Sequence, residues 1–226
     1  MSGRLQGKVA IVTGSGSVGP GWGNGKAISV LFAREGAKVV GADIDADAAA
    51  ATQAMIRDEG GESIAVVADV SLAADVERLV AAALDAYGRI DILINNVGMA
   101  IVGGPAELDE ATWDRVMAVN SKSAYLTCHH VLPVMMRQKS GAIVNNASVA
   151  VRGWAGVNYG FYAASKGAMV AMTRTMAIRH APDGIRANSV LPRLINTPPV
   201  HSSLTPLYAP DPHTPTPILP PSPPFP

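Results

Sequence analysis

Tyr162 and Lys166 stand four residues apart in Tyr-Ala-Ala-Ser-Lys, inside a stretch of helical periodicity. That spacing sets a phenol and an ammonium on one helix face. An unperturbed tyrosine titrates near pH 10, about three units above neutrality. A positive charge close by favours the phenolate, so Lys166 is placed to bring Tyr162 within reach of proton exchange. On their own, two such residues are an ordinary surface pair; the elements around them decide.

The first of these is a glycine-rich loop. Val9-Ala-Ile-Val12 reads as a strand, runs into Thr13-Gly-Ser-Gly-Ser-Val-Gly-Pro-Gly-Trp-Gly-Asn-Gly25, and continues into a helical stretch from Lys26 to Arg34. Glycines after a strand let the backbone approach a pyrophosphate, whose charge meets free N–H groups at the helix start. A flexible surface loop is the plain alternative, and the strand-to-helix context favours the dinucleotide. At the end of the second strand, Asp43 is placed to accept hydrogen bonds from an adenosine ribose and to repel a 2′-phosphate, which favours NAD over NADP. Asp43, Asp45 and Asp47 are also suited to capping the next helix, and Asp45 is an alternative ribose ligand.

From Lys8 to Ser189, short β-branched runs alternate with longer helical patterns, the signature of a parallel sheet flanked by helices. The expected strands are Val9 to Val12, Lys38 to Ala42, Ser63 to Ala68, Ile90 to Asn95, Ala142 to Asn146 and Ile185 to Val190. Val76, Leu79, Val80, Ala83, Leu84 and Tyr87 fall at helical spacing, with Ser71 as the expected N-cap and Gly88 as the stop. Two helices in near succession are expected over Asp109 to Gln138, and another over Tyr159 to His180, ending before Pro182 and Gly184. After Thr197 the composition breaks: 12 of the last 29 residues are proline, and Asp211 alone carries a formal charge. The expected organisation is therefore one domain over 1–197 and an extended or disordered proline-rich tail over 198–226.

Of 226 residues, 48% are hydrophobic and 16% charged, with eighteen basic side chains balancing eighteen acidic ones. No net field or basic block draws the chain to nucleic acid or an anionic membrane. The N-terminal Met-Ser-Gly-Arg-Leu-Gln-Gly-Lys lacks an apolar run of signal length, and no window approaches a membrane span of about 20 apolar residues. The single cysteine, Cys128, reads as a small core residue in a reducing compartment. A soluble, cytoplasmic protein is expected. His129 and His130 are adjacent and point apart, with no cluster to complete a tetrahedral site, so no metal is expected.

Thr13-Gly14 with the later Gly23-Asn24-Gly25, Asp69-Val70 after a strand, Asn95-Asn-Val-Gly98, a helical Asn120, Ser148 after a strand, and Tyr162-Ala-Ala-Ser-Lys166 occur in one order. Together, over roughly residues 5 to 197, this set resembles the short-chain dehydrogenase/reductase family. The resemblance implies an α/β, doubly wound Rossmann-type domain, a substrate site above the carboxyl ends of the strands, and a homodimer or homotetramer paired through the helices of 109–138 and 159–180. It implies hydride exchange between NAD(H) and a secondary alcohol or ketone. Tyr162 would be the general acid/base; Lys166 would hold the nicotinamide ribose and lower the phenol pKa. Ser148 would bond the substrate oxygen, and Asn120 would anchor a water leading from Lys166 to solvent. Gly14, Ser17, Gly23, Asn24, Asp43, Asp69, Val70, Asn96, Ile195 and Thr197 would join Tyr162 and Lys166 around the cofactor. Asp69 and Val70 would frame the adenine, while Asn95 and Asn96 would brace the loops beside the cofactor. Trp154 is a candidate wall of the substrate pocket or a packing residue.

Reduction of a ketone builds negative charge on oxygen, and donors already set there, such as Ser148 and Tyr162, stabilise the transition state over the ground state. Three features depart from the family pattern. Eight residues separate Gly14 from Gly23 where the family usually has three. Arg193 follows Pro192 where the family has glycine; an arginine at positive φ would cost about 1 kcal/mol or more, and the alternatives are partial blockage of the site or a contact with the pyrophosphate. The proline-rich end supplies no substrate-covering helix or seventh strand, so the sheet is expected to lack its usual last strand and to end on an unpaired edge. These departures leave a second reading, a catalytically impaired dinucleotide-binding or interaction protein whose tail docks as polyproline II through Pro217-Ile-Leu-Pro220.

Overall fold

A computed structural model describes residues 3–154, 157–193, 195 and 197. The expected tail over 198–226, with its Pro217 to Pro220 motif, lies outside the described residues. The β-branched runs form β1 (Val9–Thr13), β2 (Lys38–Asp43), β3 (Ser63–Val67), β4 (Ile92–Asn95), β5 (Gly141–Asn146) and β6 (Ile185–Val190). Between them lie α1 (Asn24–Arg34), α2 (Ala46–Asp58), α3 (Ala73–Tyr87), α4 (Glu110–Met117), α5 (Ser123–Gln138) and α6 (Gly160–His180). Among the described residues the sheet is six-stranded, in the order β3-β2-β1-β4-β5-β6, and every pairing is parallel.

The alternation of the strands sorts side chains onto two faces. Ile11, Val40, Leu93 and Ile143 pack with Leu79 and Val131 of α3 and α5. Ala10, Val12, Val39, Ile92 and Ile94 face Val30 of α1 and Ile56 of α2. The sheet is therefore covered from both sides, and the strand order reverses between β1 and β4. Ligands of such sheets bind in the crevice at that switch point, beyond the carboxyl ends of the strands. On β5 the residues Ala142, Val144 and Asn146 are half-buried, and on the edge strand β6 Arg186, Asn188 and Val190 are exposed.

Two local expectations change. The N-cap position of α3 is Leu72, which supplies no side-chain bond, because the Asp69 carboxylate takes both the Ser71 N–H at 2.9 Å and the Ser71 hydroxyl at 2.7 Å. Gly88 does end that helix in the left-handed conformation, φ 71°. The fourth strand begins at Ile92 rather than Ile90, since the Ile90 N–H is drawn 3.0 Å to the Gln138 Oε1. The two helices of 109–138 are joined by a π-type turn, Ala118–Lys122, with Asn120 at its centre; such turns often mark functional sites. Cys128 is buried, and burial pushes its thiol pKa up to about 12, so it packs as a neutral core group.

Candidate active site

The crevice is built from the ends of β1, β4 and β5 and the first turns of α6. Gly14 leaves β1 at φ +63°, a conformation that favours glycine. The loop then folds back so tightly that a Cβ on Gly25 would lie 1.7 Å from the Gly14 oxygen. Gly23 is the extended N-cap of α1, and Asn24 is the first helical residue. Ser17 presents a buried hydroxyl with no protein partner. Beside the loop, Asp43 Oδ2 accepts the Gly16 N–H at 2.8 Å and Oδ1 accepts the Asp45 N–H at 3.1 Å. Asp45 instead caps α2, accepting from the N–H groups of Asp47 and Ala48 at 2.9 and 3.0 Å. The two candidate carboxylates are thus separated by role: Asp43 borders the glycine loop and Asp45 holds a helix end.

Asn95 and Asn96 both brace. Asn95 Nδ2 donates to Asn145 Oδ1 at 2.8 Å, and Asn95 Oδ1 accepts from Thr127 Oγ1 at 2.6 Å. Asn96 Nδ2 donates to the oxygens of Thr13 and Gly14 at 3.2 and 3.1 Å, tying the β4 end to the glycine loop. The Val70 side chain is buried in the core, and the Asp69 carboxylate is engaged by Ser71.

Tyr162 and Lys166 share one turn of α6, with the Lys166 Nζ 5.9 Å from the Tyr162 ring centre. The ammonium is buried and donates to the main-chain oxygens of Asn146 at 2.8 Å and Val97 at 3.4 Å. Burial lowers its pKa to about 8. Gly98 makes room for it, since a Cβ there would lie 2.8 Å from Nζ. The phenol of Tyr162 is pushed up by burial, and hydrogen bonding with the Ser148 side chain opposes that rise. The expectation of a phenol pKa drawn below its usual value is therefore corrected: burial raises it, and the Ser148 bond is the influence that opposes the rise.

Asn120 Oδ1 accepts the Met99 N–H at 2.8 Å, while its Nδ2 donates to the Met99 oxygen at 3.0 Å and to Ser165 Oγ at 2.8 Å. Both amide protons are thus spent on holding the loop after β4 and the turn between Tyr162 and Lys166. Ser148 closes the set from the end of β5, its hydroxyl accepting the Ala150 N–H at 3.2 Å. On the open side, the Gly103 N–H donates to the Asn158 oxygen at 2.7 Å, and Trp154 is 74% exposed, so it is not a packing residue.

Arg193 does not stand at positive φ; among the described residues Lys139 is the one non-glycine residue that does. The expected strain at Arg193 is absent. Thr197 Oγ1 donates to the Ile195 oxygen at 3.3 Å. Sequence reasoning assigned no role to Asn146 or Ser165, which with Gly98 of the Asn95-Asn-Val-Gly98 motif form the surroundings of Lys166 and Asn120; Asn146, two residues before Ser148 at a strand end, was the more visible of the two.

Among the described residues, no helix is long and apolar enough to cross a membrane. The family model for short chain dehydrogenase matches residues 8–206. A (2S)-[(R)-hydroxy(phenyl)methyl]succinyl-CoA dehydrogenase subunit BbsD of Thauera aromatica is 42% identical over 194 residues, covering 86% of this chain and 75% of its own. The crystal structure of levodione reductase superposes with a TM-score of 0.84 at 36% identity, covering 90% of this chain and 78% of the other. A short chain dehydrogenase from Mycobacterium smegmatis gives a TM-score of 0.78 at 33% identity, covering 84% and 78%. With its motifs meeting at one crevice and its sequence matched along almost the whole described length, the chain belongs to the short-chain dehydrogenase/reductase family of oxidoreductases.

Proposed function

We propose that this chain uses NAD(H) to interconvert a secondary alcohol and a ketone, with Tyr162 as the general acid/base. The observation that carries this reading is the meeting of Tyr162, Lys166 and Ser148 at the carboxyl ends of the strands, beside the glycine loop. The residues fit a dinucleotide. The unpartnered Ser17 hydroxyl, the N–H groups at the start of α1 and the cleared space at Gly14, Gly23 and Gly25 suit a pyrophosphate. Asp43, fixed against Gly16 but still a carboxylate, suits ribose hydroxyls and disfavours a 2′-phosphate.

When bound, the nicotinamide supplies the hydride chemistry. The protein's part is to orient and to move one proton. Ser148 and Tyr162 donate to the substrate oxygen, where charge builds during reduction. Burial keeps the phenol protonated at neutral pH, the state needed to give its proton to that oxygen. Lys166, with the third N–H of its ammonium left beyond those held by Asn146 and Val97, is the donor for ribose hydroxyls. Asn120 and Asp69 serve by holding the backbone around the site, and any water that Asn120 holds toward Lys166 must come to an oxygen. Ile195 and Thr197 are assigned to the nicotinamide side by family resemblance.

The substrate class rests on the matched relatives, whose names are those of a (2S)-[(R)-hydroxy(phenyl)methyl]succinyl-CoA dehydrogenase subunit and a levodione reductase. A cytoplasmic homo-oligomer completes the reading. Tyr125 of α5 is 51% exposed and lines a groove with Lys122, Ala168 and Met172 of the facing helices, a surface suited to a second copy. Titration of the purified protein with NADH and then NADPH, followed by nicotinamide fluorescence, tests the cofactor assignment. Tighter binding of NADH is expected; binding of neither would overturn it.

A further inference from the structure

Four polar contacts run across the carboxyl ends of three strands. Asn96 Nδ2 holds the Thr13 and Gly14 oxygens at the mouth of the glycine loop, at 3.2 and 3.1 Å. Asn96 Oδ1 accepts from Asn146 Nδ2 at 2.9 Å. The Asn146 main-chain oxygen in turn accepts the Lys166 ammonium at 2.8 Å. Because Asn96 spends its Nδ2 on carbonyl oxygens, its Oδ1 must face a donor, which fixes the orientation of the Asn146 amide as well. The consequence is that Asn146 Oδ1 points away, buried and without a partner. A side chain that only filled space would leave no such polar atom unpaired, since an apolar residue of equal size would avoid the penalty.

We propose that Asn146 is a positioning residue that links the seat of the Lys166 ammonium to the glycine loop, an inference that rests on the dinucleotide reading above. Through Asn96 the side chain holds the loop, and through its own carbonyl it holds the lysine, so both halves of a bound dinucleotide are registered by one residue. The titratable group facing Lys166 is Tyr162, whose ring lies 5.9 Å away, and no charged side chain contributes to the behaviour of Lys166 beyond burial.

NADH affinity measured by nicotinamide fluorescence over roughly pH 6 to 10, the range that spans the Lys166 titration, tests this. The wild type is expected to lose affinity as Lys166 deprotonates, and Lys166→Met is expected to abolish that inflection. Asn146→Leu should weaken NADH about tenfold, as expected for an unmade buried amide pairing, and should also displace the inflection. Asn146→Ser, which keeps a donor for Asn96, should recover most of both, and it carries the test if the leucine variant fails to fold in a circular dichroism melt. An Asn146→Leu protein that folds with unchanged affinity, or that loses affinity with the inflection unmoved, would overturn the proposal. A wild type whose affinity is indifferent to Lys166→Met would instead remove the lysine role beneath it, and the inference with it.

Discussion

The Lys166 ammonium lies 2.8 Å from the main-chain oxygen of Asn146, in a position that is 2% exposed. Two carbonyl oxygens solvate it in place of water, and the low pKa of about 8 records what that exchange costs. Buried titratable groups whose pKa is displaced this far cluster at functional sites.

Stability should follow from this. The Lys166 pKa is about 8 in the folded chain against the usual 10.5, so between those values the unfolded state binds more protons. Stability contributed by this group therefore rises with pH from about 8 to 10.5 and is constant below, where the charged lysine costs about 3 kcal/mol. Lys166→Met should remove that cost while losing two hydrogen bonds, a net gain of about 1–2 kcal/mol at pH 7. Urea denaturation at pH 7 and pH 10 checks both: the variant should be more stable at the lower pH, and the difference should shrink at the higher.

Asp43 should set cofactor choice. Asp43→Asn keeps an oxygen for the Gly16 N–H, bonded at 2.8 Å in the wild type, and removes the charge. NADH should bind about tenfold more weakly, a loss of about 1.4 kcal/mol in keeping with one charge-assisted hydrogen bond, and the preference over NADPH should narrow. Paired fluorescence titrations read both constants.

Gly25→Ala should disrupt the cofactor loop. The new Cβ would fall 1.7 Å from the Gly14 oxygen, so α1 or the loop must move, at a cost of about 1–3 kcal/mol as for other overpacked sites. NADH binding should be lost before the fold is, which a thermal melt beside the titration would show.

Much of this arrangement was legible in the sequence. Strand runs such as Val9 to Val12 are bounded by glycine and alternate with helices, so their order follows from local pattern, and Gly88 and Asp43 stand where spacing puts them. What was not legible depends on competition between neighbours. Ser71 looked like a cap, but the Asp69 carboxylate reaches it first. Tyr162 and Lys166 looked like a phenol tuned by an ammonium, but spacing says nothing of burial, which dominates both. Arg193 looked strained only because the family places a glycine there, and its φ is not positive. Asn146 read as the end of a strand because its two partners, Asn96 and Lys166, are 50 and 20 residues away.

The central claim is that Tyr162 transfers the proton in a nicotinamide-dependent alcohol–ketone interconversion. The most direct measurement supplies the purified protein with NAD and a panel of secondary alcohols, follows NADH absorbance, and repeats the productive reaction with Tyr162→Phe. Turnover should fall at least about a hundredfold, the scale of general acid–base catalysis, with NADH affinity within about twofold of the wild type, since a lone neutral hydroxyl adds little to binding. A Tyr162→Phe protein that turns over at the wild-type rate would contradict the account.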